Sequence, residues 1–432
     1  MNILSFEEAL IDDTLKGVPG GVTPFPIRQV DAKNWNVLRE DLPLPLAVLK
    51  QSTMELNSAW MRSFLKASGA VLAPHGKTTM SPHLFQRQLE DGAWAITLGN
   101  IAQVQVARRF GISRIILANQ LVGRRAIDYI LEEMRRDPEF DFYCLVDSVE
   151  GASALARAAS KAAVGRPLQV LVEGGVAKRR TGARTLEDAI EVARTISAAA
   201  PYLALRGVEG FEGIIVQPTP EESAAKVQEF LSFLADLARA CDAENLFAQG
   251  PVILSAGGSA YYDLVASSFS SIKLSREILL VIRSGCYLTH DSIMYEKLVN
   301  DLLSRNKQAA EWGPPPQPAL EVWAYVQSCP EPGRVILTMG KRDASYDAGF
   351  PKPFGWLRPG SHDEVQLLEP EHITVEMNDQ HLFLDVPTSS PLQVGDLVGF
   401  GISHPCLTFD KWQFIPLIDD DYNVISAIRT YF

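Results

Sequence analysis

A lysine in the segment APHGKTTMSP is the first residue with the chemistry for covalent catalysis. Lys77 follows a short apolar run at 70–74, and a partly desolvated lysine ε-amine has a lowered pKa and can form a Schiff base with an aldehyde. A solvated loop lysine is the common alternative. The adjacent Gly-Lys-Thr is not a phosphate-binding P-loop, because Val71 stands where that motif requires its first glycine.

The segment LSAGGSAYYD is rich in small residues that let the backbone approach an anion. These residues are Ser255, Gly257, Gly258 and Ser259. Their backbone N–H groups could bind a phosphate, and an ordinary tight turn is the alternative. Cys286 and Tyr287 in IRSGCYL could add further backbone donors. The two segments are therefore candidates for an anion-binding site.

Three arginines lie in the segment EGGVAKRRTGAR, which follows another apolar run. An arginine that points inward from such a loop can bind a carboxylate or a phenolate through two parallel hydrogen bonds. Arg180 is the preferred candidate, because Thr181 and Gly182 follow it and allow a tight turn. The alternative is that all three arginines are solvated.

His404 and Cys406 stand two positions apart in GISHPCLTFDKW. In an extended strand both side chains point to one face, and imidazole with thiolate suits zinc. Two protein ligands leave positions for water and substrate, as in a catalytic metal site. A buried cysteine beside a hydrogen-bonded histidine is the alternative. His381 in MNDQHLFL is a further candidate ligand.

These candidates need a framework that brings their loops together. Short apolar runs alternate with segments of helical periodicity, which is typical of βα units around a parallel sheet. The eight runs predicted as strands are 70–74, 94–98, 114–119, 142–147, 168–174, 206–212, 252–256 and 279–288. Eight units in this length predict an α/β fold of the TIM-type (β/α)8 barrel class, with a doubly wound open sheet as the alternative.

The pattern changes after residue 300. The segment PPPQ is followed by alternating stretches such as LEVWAYVQS and HLFLDVP, which predict an antiparallel β domain. The sequence therefore predicts an N-terminal arm at 1–45, a barrel at 46–295 and a C-terminal antiparallel β domain at 296–432 that carries the metal site.

Composition excludes several classes of function. The 432 residues carry 40 Lys and Arg against 52 Asp and Glu, a formal net charge of −12 that disfavours nucleic-acid binding. Apolar runs are too short to span a membrane, and acidic residues near the N-terminus do not resemble a signal peptide. Five cysteines without a CxxC pair predict free thiols or a metal ligand. We expect a cytoplasmic protein.

In combination, these motifs resemble those of D-serine dehydratase and D-threonine aldolase-like enzymes. The shared segments are PHGKTTMSP, EGGVAKRRTGAR, EGFEG, SAGGS, RSGCYL and HPCLTFDKW, which occur in the same order. These enzymes are fold-type III pyridoxal-phosphate proteins with an alanine-racemase-like barrel. Two positions depart from the family pattern: Phe211 replaces a tyrosine, and Ile214 replaces a histidine that is often present.

The resemblance implies a role for each candidate residue. Lys77 would be the Schiff-base lysine and general base, and Arg180 a partner of the cofactor's phenolic oxygen. The phosphate would lie on the backbone of Gly257, Gly258, Ser259, Cys286 and Tyr287. His404 and Cys406 would hold zinc, with manganese or another divalent ion as alternatives. The resemblance also implies a homodimer.

The predicted function is a pyridoxal-phosphate- and zinc-dependent dehydratase that converts a D-3-hydroxy amino acid such as D-serine into a 2-keto acid and ammonia. A metal-dependent D-threonine aldolase, which yields glycine and an aldehyde, is the first alternative. A non-catalytic pyridoxal-phosphate-binding protein and a metal-dependent barrel hydrolase are alternatives of other classes. The roles of His381, Asp343 and Asp410 stay open at this point.

Overall fold

The computed structural model describes residues 6–258, 260–361 and 364–432. They form two compact units. The first unit contains Arg62–Lys77 and Gln88–Gly285. The second contains the described part of Asn2–Met61 together with Thr78–Arg87 and Cys286–Phe432. Ser259, one of the predicted phosphate-binding residues, lies outside the described residues.

The N-terminal segment contributes three strands to the second unit. They are β1 (Leu10–Ile11), β2 (Phe25–Pro26) and β3 (Leu46–Lys50). β1 and β2 pair with each other, whereas β3 is part of the C-terminal sheet. The predicted division, which assigns residues 46–50 to the barrel segment, is therefore wrong for this strand. A short buried apolar run suits either kind of sheet, so periodicity alone does not say which one it joins.

The first unit is built on a closed ring of eight parallel strands. They are β4 (Val71–Leu72), β5 (Ile96–Leu98), β6 (Arg114–Gln120), β7 (Asp141–Val146), β8 (Leu168–Gly174), β9 (Leu203–Gly210), β10 (Val252–Ala256) and β11 (Ile278–Ile282). Their order is β4-β11-β10-β9-β8-β7-β6-β5. A parallel bridge between His75 and Thr97 and a 2.7 Å bond from Trp94 N–H to the Leu72 carbonyl close the ring.

This ring confirms the predicted barrel fold. Each of the eight predicted runs overlaps one strand, and the ends differ by a few residues. The largest difference is at the last run, where β11 ends at Ile282, so residues 283–288 form a loop. The barrel interior is filled by small, branched and aromatic side chains, as in other (β/α)8 barrels. They are Ala73, Ala95, Ile116, Tyr143, Leu145, Leu171, Ile253 and Val281.

Helices connect the barrel strands, and several begin at side-chain caps. The connecting helices are Pro82–Glu90, Ile101–Arg109, Arg124–Arg136, Val149–Ala162, Leu186–Ala198, Pro220–Ala243 and Tyr262–Ser270, and Gln51–Ser68 precedes β4. Asn100, Ser148, Thr185 and Thr219 each accept a hydrogen bond from a backbone N–H in the first turn of the following helix. Such caps satisfy donors that the helix itself leaves unpaired.

The second unit is a mainly antiparallel sheet, as predicted. Its C-terminal strands are β12 (Leu320–Glu331), β13 (Arg334–Leu337), β14 (Lys352–Leu357), β15 (Gln366–Leu367), β16 (Ile373–Met377), β17 (Leu382–Asp385), β18 (Leu397–Gly401), β19 (Phe414–Ile418) and β20 (Val424–Arg429). β3 pairs antiparallel with β12 and parallel with β19. Helices Met294–Arg305 and Cys406–Phe409 belong to this unit. Fully buried Trp323, Phe400 and Phe414 lie in its core. Within the described ranges, no helix is long and apolar enough to cross a membrane.

Candidate active site

Lys77 lies at the carboxyl end of a barrel strand, where barrel enzymes place their catalytic groups. It is half-buried in a 3-10 turn, Gly76–Thr78, that follows β4. The Lys77 and His75 side chains both lie near Gly99, just after β5, since a Cβ there would be 3.7 Å from Lys77 Cδ and 3.8 Å from His75 Cε1. The structure therefore places Lys77 and His75 side by side at the strand ends.

His75 is a neutral ring among positive charges. Desolvation lowers its pKa well below the usual range, and the charges of Lys77, Arg283 and Arg180 lower it further. The Nδ1 atom of His75 is buried and has no hydrogen-bond partner. The positive charges that disfavour protonation of His75 also attract an anion, so this end of the barrel suits an anionic ligand.

Arg283 and Glu209 form an ion pair inside the barrel unit. Both side chains are almost fully buried, and Arg283 also donates to the Gly210 carbonyl at 2.9 Å. Burial raises the pKa of Glu209 to about 8, although Arg283 acts to lower it. The second carboxylate oxygen of Glu209 has no hydrogen-bond partner. The pair therefore combines buried charge with an unsatisfied acceptor, which is costly in a purely structural role.

The loop after β10 uses its backbone donors on a carboxylate. Gly258 N–H donates to Glu212 Oε1 at 2.5 Å, and Gly257 N–H also hydrogen-bonds to this carboxylate. Gly258 has φ +73°, a conformation that favours glycine. The Ser255 hydroxyl is buried and donates to the Val281 carbonyl at 2.9 Å. In this structure the two glycine N–H groups therefore donate to the side chain of Glu212.

Arg180 is exposed, and its guanidinium lies 4.8 Å from the centre of the Phe211 ring. Phe211 in turn packs against Gly257, because a Cβ on that glycine would lie 2.3 Å from Phe211 Cδ2. The phenylalanine that replaces the family's tyrosine therefore connects the arginine loop to the glycine loop. Arginine over an aromatic face is a favourable cation–π arrangement.

In the second unit, His404 is held by a carboxylate. Its Nδ1 lies 2.7 Å from Asp347 Oδ2. Cys406, first, and then Asp347 raise the pKa of His404 to about 9. A carboxylate on one ring nitrogen leaves the other for a metal and fixes its orientation. Cys406 begins the short helix Cys406–Phe409 rather than lying in a strand. The two side chains nevertheless hydrogen-bond to each other.

Cys406 also lies against a second cysteine. Its Sγ is 3.7 Å from Cys286 Sγ and 3.5 Å from Thr78 Oγ1. Hydrogen bonds from Cys286 and His404 hold the pKa of Cys406 well below its usual range, whereas the same sulfur contact raises the pKa of Cys286. Thiolate is the form that binds metals. Tyr287, next to Cys286, is buried.

The other polar candidates in the second unit are either exposed or paired with neighbouring groups. His381 is exposed just before β17, so it is not a ligand held in the sheet. Asp343 accepts from Gly340 N–H at 2.7 Å and pairs with Lys16 at 2.6 Å. Asp410 pairs with Lys411. Across 6–258, 260–361 and 364–432, no three His, Cys, Asp or Glu side chains converge as a metal site.

Two family models match the chain. The "Alanine racemase, N-terminal domain" model covers residues 49–265, just over half of the chain. The chain belongs to this family. The "Putative serine dehydratase domain" model covers residues 319–418. The resemblance inferred from the motifs is thereby confirmed.

Curated relatives match most of the chain. A 3-hydroxy-D-aspartate aldolase of Paracoccus denitrificans (strain Pd 1222) is 25% identical over 343 residues, which cover 78% of this chain and 81% of the relative. A D-threonine aldolase of an Arthrobacter species is 24% identical over 380 residues, which cover 87% of this chain and 89% of the relative.

Solved structures show the same fold at low identity. A D-threonine aldolase from Filomicrobium marinum has a TM-score of 0.73 and 21% identity, covering 90% of this chain and 95% of that one. A D-threo-3-hydroxyaspartate dehydratase from Delftia sp. HT23 has a TM-score of 0.70 and 20% identity, covering 92% of this chain and 99% of that one.

The sequence analysis missed several groups that the structure brings to these sites. They are Arg283, Glu209, Glu212, Asp347 and the Cys286 side chain. The sequence does mark Glu209 and Arg283 as unusual. Glu209 is a charged residue within an apolar strand, and Arg283 is a charged residue directly after one. Asp347 and Cys286 have no such mark, because their partners are distant in the chain.

Proposed function

We propose that this chain is a pyridoxal-phosphate-dependent lyase that acts on a D-3-hydroxy amino acid with the help of a bound zinc ion. The observation that carries the proposal is the half-buried Lys77 at a strand end beside a neutral His75. The aldolase and dehydratase names of the relatives support the same class of substrate.

The residues at the barrel end fit an anionic aldehyde cofactor. Lys77 would hold it through its ε-amine, and the charges of Arg180 and Arg283 favour an anion there. We assign the phosphate to the backbone N–H groups of Gly257 and Gly258. Since Glu212 already accepts from the two glycines, it would have to share or release these donors. When bound, the cofactor ring supplies an electron sink for a carbanion at the substrate α-carbon.

Lys77 would act as the general base once its ε-amine is free. Removal of an α-proton needs an amine in its neutral form. His75 stays neutral among the neighbouring positive charges and adds no charge. We therefore assign proton transfer at the α-carbon to Lys77 Nζ.

His404 and Cys406 have the donor chemistry for zinc. Asp347 orients the His404 ring through Nδ1, and Cys406 is stabilised as a thiolate. Imidazole and thiolate are zinc ligands, and two protein ligands leave positions for substrate and water. A bound zinc ion supplies a Lewis acid for a hydroxyl oxygen. These residues would therefore make a β-hydroxyl a better leaving group.

We favour dehydration over retro-aldol cleavage. The donor at position 406 is a soft thiolate that suits zinc, and the family model over 319–418 is a serine dehydratase domain. The aldolase names of two curated relatives favour the alternative, in which the β-hydroxyl loses its proton and the Cα–Cβ bond breaks.

Product analysis separates these functions. The full-length protein, reconstituted with pyridoxal phosphate and zinc, is incubated with D-serine, D-threonine or D-threo-3-hydroxyaspartate, with and without a chelator. A 2-keto acid and ammonia support the dehydratase, whereas glycine and an aldehyde support the aldolase. Cofactor binding without any product overturns the enzyme proposal in favour of a carrier. Unchanged activity of Lys77→Ala overturns the assignment of the lysine.

A further inference from the structure

Two cysteines far apart in the chain face each other in the second unit. Cys286 and Cys406 are 120 positions apart, yet their Sγ atoms lie 3.7 Å from each other. Cys286 is buried, whereas Cys406 is half-buried. Of the two residues, Cys406 is therefore the more exposed.

Hydrogen bonds fix the backbone on both sides of the pair. The Cys286 carbonyl accepts from His290 N–H at 2.8 Å. On the other side, Thr408 Oγ1 accepts from Ser345 N–H at 3.1 Å and donates to the His404 carbonyl at 3.2 Å. The two sulfurs are thus held face to face by their surroundings.

The Thr78 hydroxyl contacts both sulfurs. Thr78 Oγ1 lies 3.8 Å from Cys286 Sγ and 3.5 Å from Cys406 Sγ. An accessible thiol beside a second thiol is the arrangement of a redox-sensitive cysteine with its resolving partner.

We propose that Cys286 and Cys406 are a modification site at which peroxide forms a reversible disulfide. Cys406 is the thiol that reacts with peroxide, and Cys286 is the resolving thiol. This site goes beyond the proposed lyase function and does not depend on it. The proposal rests on the facing sulfurs and their unequal exposure.

The chemistry balances with hydrogen peroxide as the oxidant. The Cys406 sulfur attacks one peroxide oxygen, the O–O bond breaks, and Cys406 becomes a sulfenic acid while the other oxygen leaves as water. The Cys286 sulfur then attacks the Cys406 sulfur, the S–O bond breaks, and a second water leaves. The sulfurs approach from 3.7 Å to the disulfide length of about 2.05 Å by side-chain rotation.

The other three cysteines serve as internal controls. Cys144 and Cys241 are buried, and burial raises the pKa of each thiol to about 12. They should therefore resist oxidation. Cys329 is exposed on β12 and reports on nonspecific surface oxidation.

The test is peroxide treatment of the full-length protein followed by non-reducing peptide mapping. We expect a cross-linked species that contains Cys286 and Cys406, loses two of the five free thiols and reverts with dithiothreitol. In Cys286→Ser and Cys286→Ala, Cys406 should accumulate as a sulfenic acid that a 1,3-diketone traps. Cys329→Ser should leave the cross-link unchanged. Circular dichroism confirms that the Cys286 variants are folded.

The proposal is overturned if no such cross-link forms while Cys406 reaches the sulfinic acid at the same rate in the wild type and in Cys286→Ser. A disulfide through Cys329 instead of this pair also overturns it. The zinc content of the reduced protein, after incubation with zinc, is measured in parallel. If the cross-link forms but zinc is never bound, the metal part of the proposed function fails and the disulfide site stands.

Discussion

The molecule contains two polar clusters of different chemical character. In the barrel cluster, defined by Lys77, His75, Arg283 and Glu209, Arg283 pairs with Glu209, and a neutral His75 lies among positive charges. In the sulfur cluster, defined by Cys286, Cys406, Thr78, His404 and Asp347, the polar groups are soft donors that share protons. Removing one member should cost far more where a full charge is left unpaired.

The comparison separates two kinds of function. A fixed set of charges creates a standing field that selects an anion and sets the protonation of a neighbouring amine or imidazole. Thiols and imidazole instead change state, because they exchange protons, metals and oxidants. The barrel cluster should therefore be sensitive to changes of charge, and the sulfur cluster to changes of ligand or redox state.

The largest expected effect in the barrel cluster follows removal of the amine. Lys77→Ala should lower kcat by about 10³-fold or more, because it removes both the covalent anchor and the general base. The absorbance band of the bound cofactor, and its trapping by borohydride, should disappear as well. The exposed Lys273→Ala is the matched control. Retention of the trapped adduct in Lys77→Ala would contradict the assignment.

Breaking the buried ion pair should be the most damaging change to stability. Above pH 8, where Glu209 is ionised, Arg283→Met leaves a buried carboxylate without its counter-charge, and we expect a loss of about 3–5 kcal/mol in the free energy of unfolding. The exposed pair of Arg194 and Glu244 offers the control Arg194→Met, with an expected loss below about 1 kcal/mol. Urea unfolding measures both. Equal losses would show that burial of the ion pair is unimportant.

The raised pKa of Glu209 predicts a pH dependence of stability. The folded carboxyl titrates at about 8 against the ordinary value of 4.5, so between these values the folded state holds a proton that the unfolded state releases. Stability should therefore fall as pH rises from about 4.5 to 8, by at most about 1.4 kcal/mol per pH unit. Glu209→Gln should remove this contribution to the slope, and the exposed Glu331→Gln should keep it. The free energy of unfolding, measured at several pH values for each variant, tests this prediction.

In the sulfur cluster, loss of the orienting carboxylate should weaken metal binding without unfolding the chain. Asp347→Asn should lower zinc affinity by about 10- to 100-fold, because the His404 ring loses its second partner. Competition with a chelator gives the affinity. Asp385→Asn, at an exposed pair with Arg334, should have no effect. An unchanged zinc affinity in Asp347→Asn would remove His404 from the metal site.

The smallest effect that we predict concerns packing beside the barrel cluster. Gly257→Ala puts a methyl 2.3 Å from Phe211 Cδ2, so it should cost about 1–3 kcal/mol of stability through overpacking. Phe211→Leu in the same chain should recover part of this loss, whereas Gly20→Ala, which has open space around it, should be neutral. Failure of the double variant to recover stability would mean that another contact sets the cost.

The amino-acid sequence determined the local features of this protein. Apolar runs of strand length with helical segments between them are set by period and propensity, so the barrel and the antiparallel sheet were predictable. The position of Lys77 after its strand and the spacing of His404 and Cys406 were equally local. The fold-family resemblance depended on the same short motifs.

Only the tertiary structure decided which distant groups meet. Asp347 reaches His404 across 57 positions, Cys286 reaches Cys406 across 120, and Glu212 occupies the donors of Gly258. The sheet that residues 46–50 join is likewise decided by a strand distant in the chain, because they pair with β12. Periodicity tells which face of a segment is buried, but the partner depends on strand order and on how each loop turns, and these are set by packing of the whole chain.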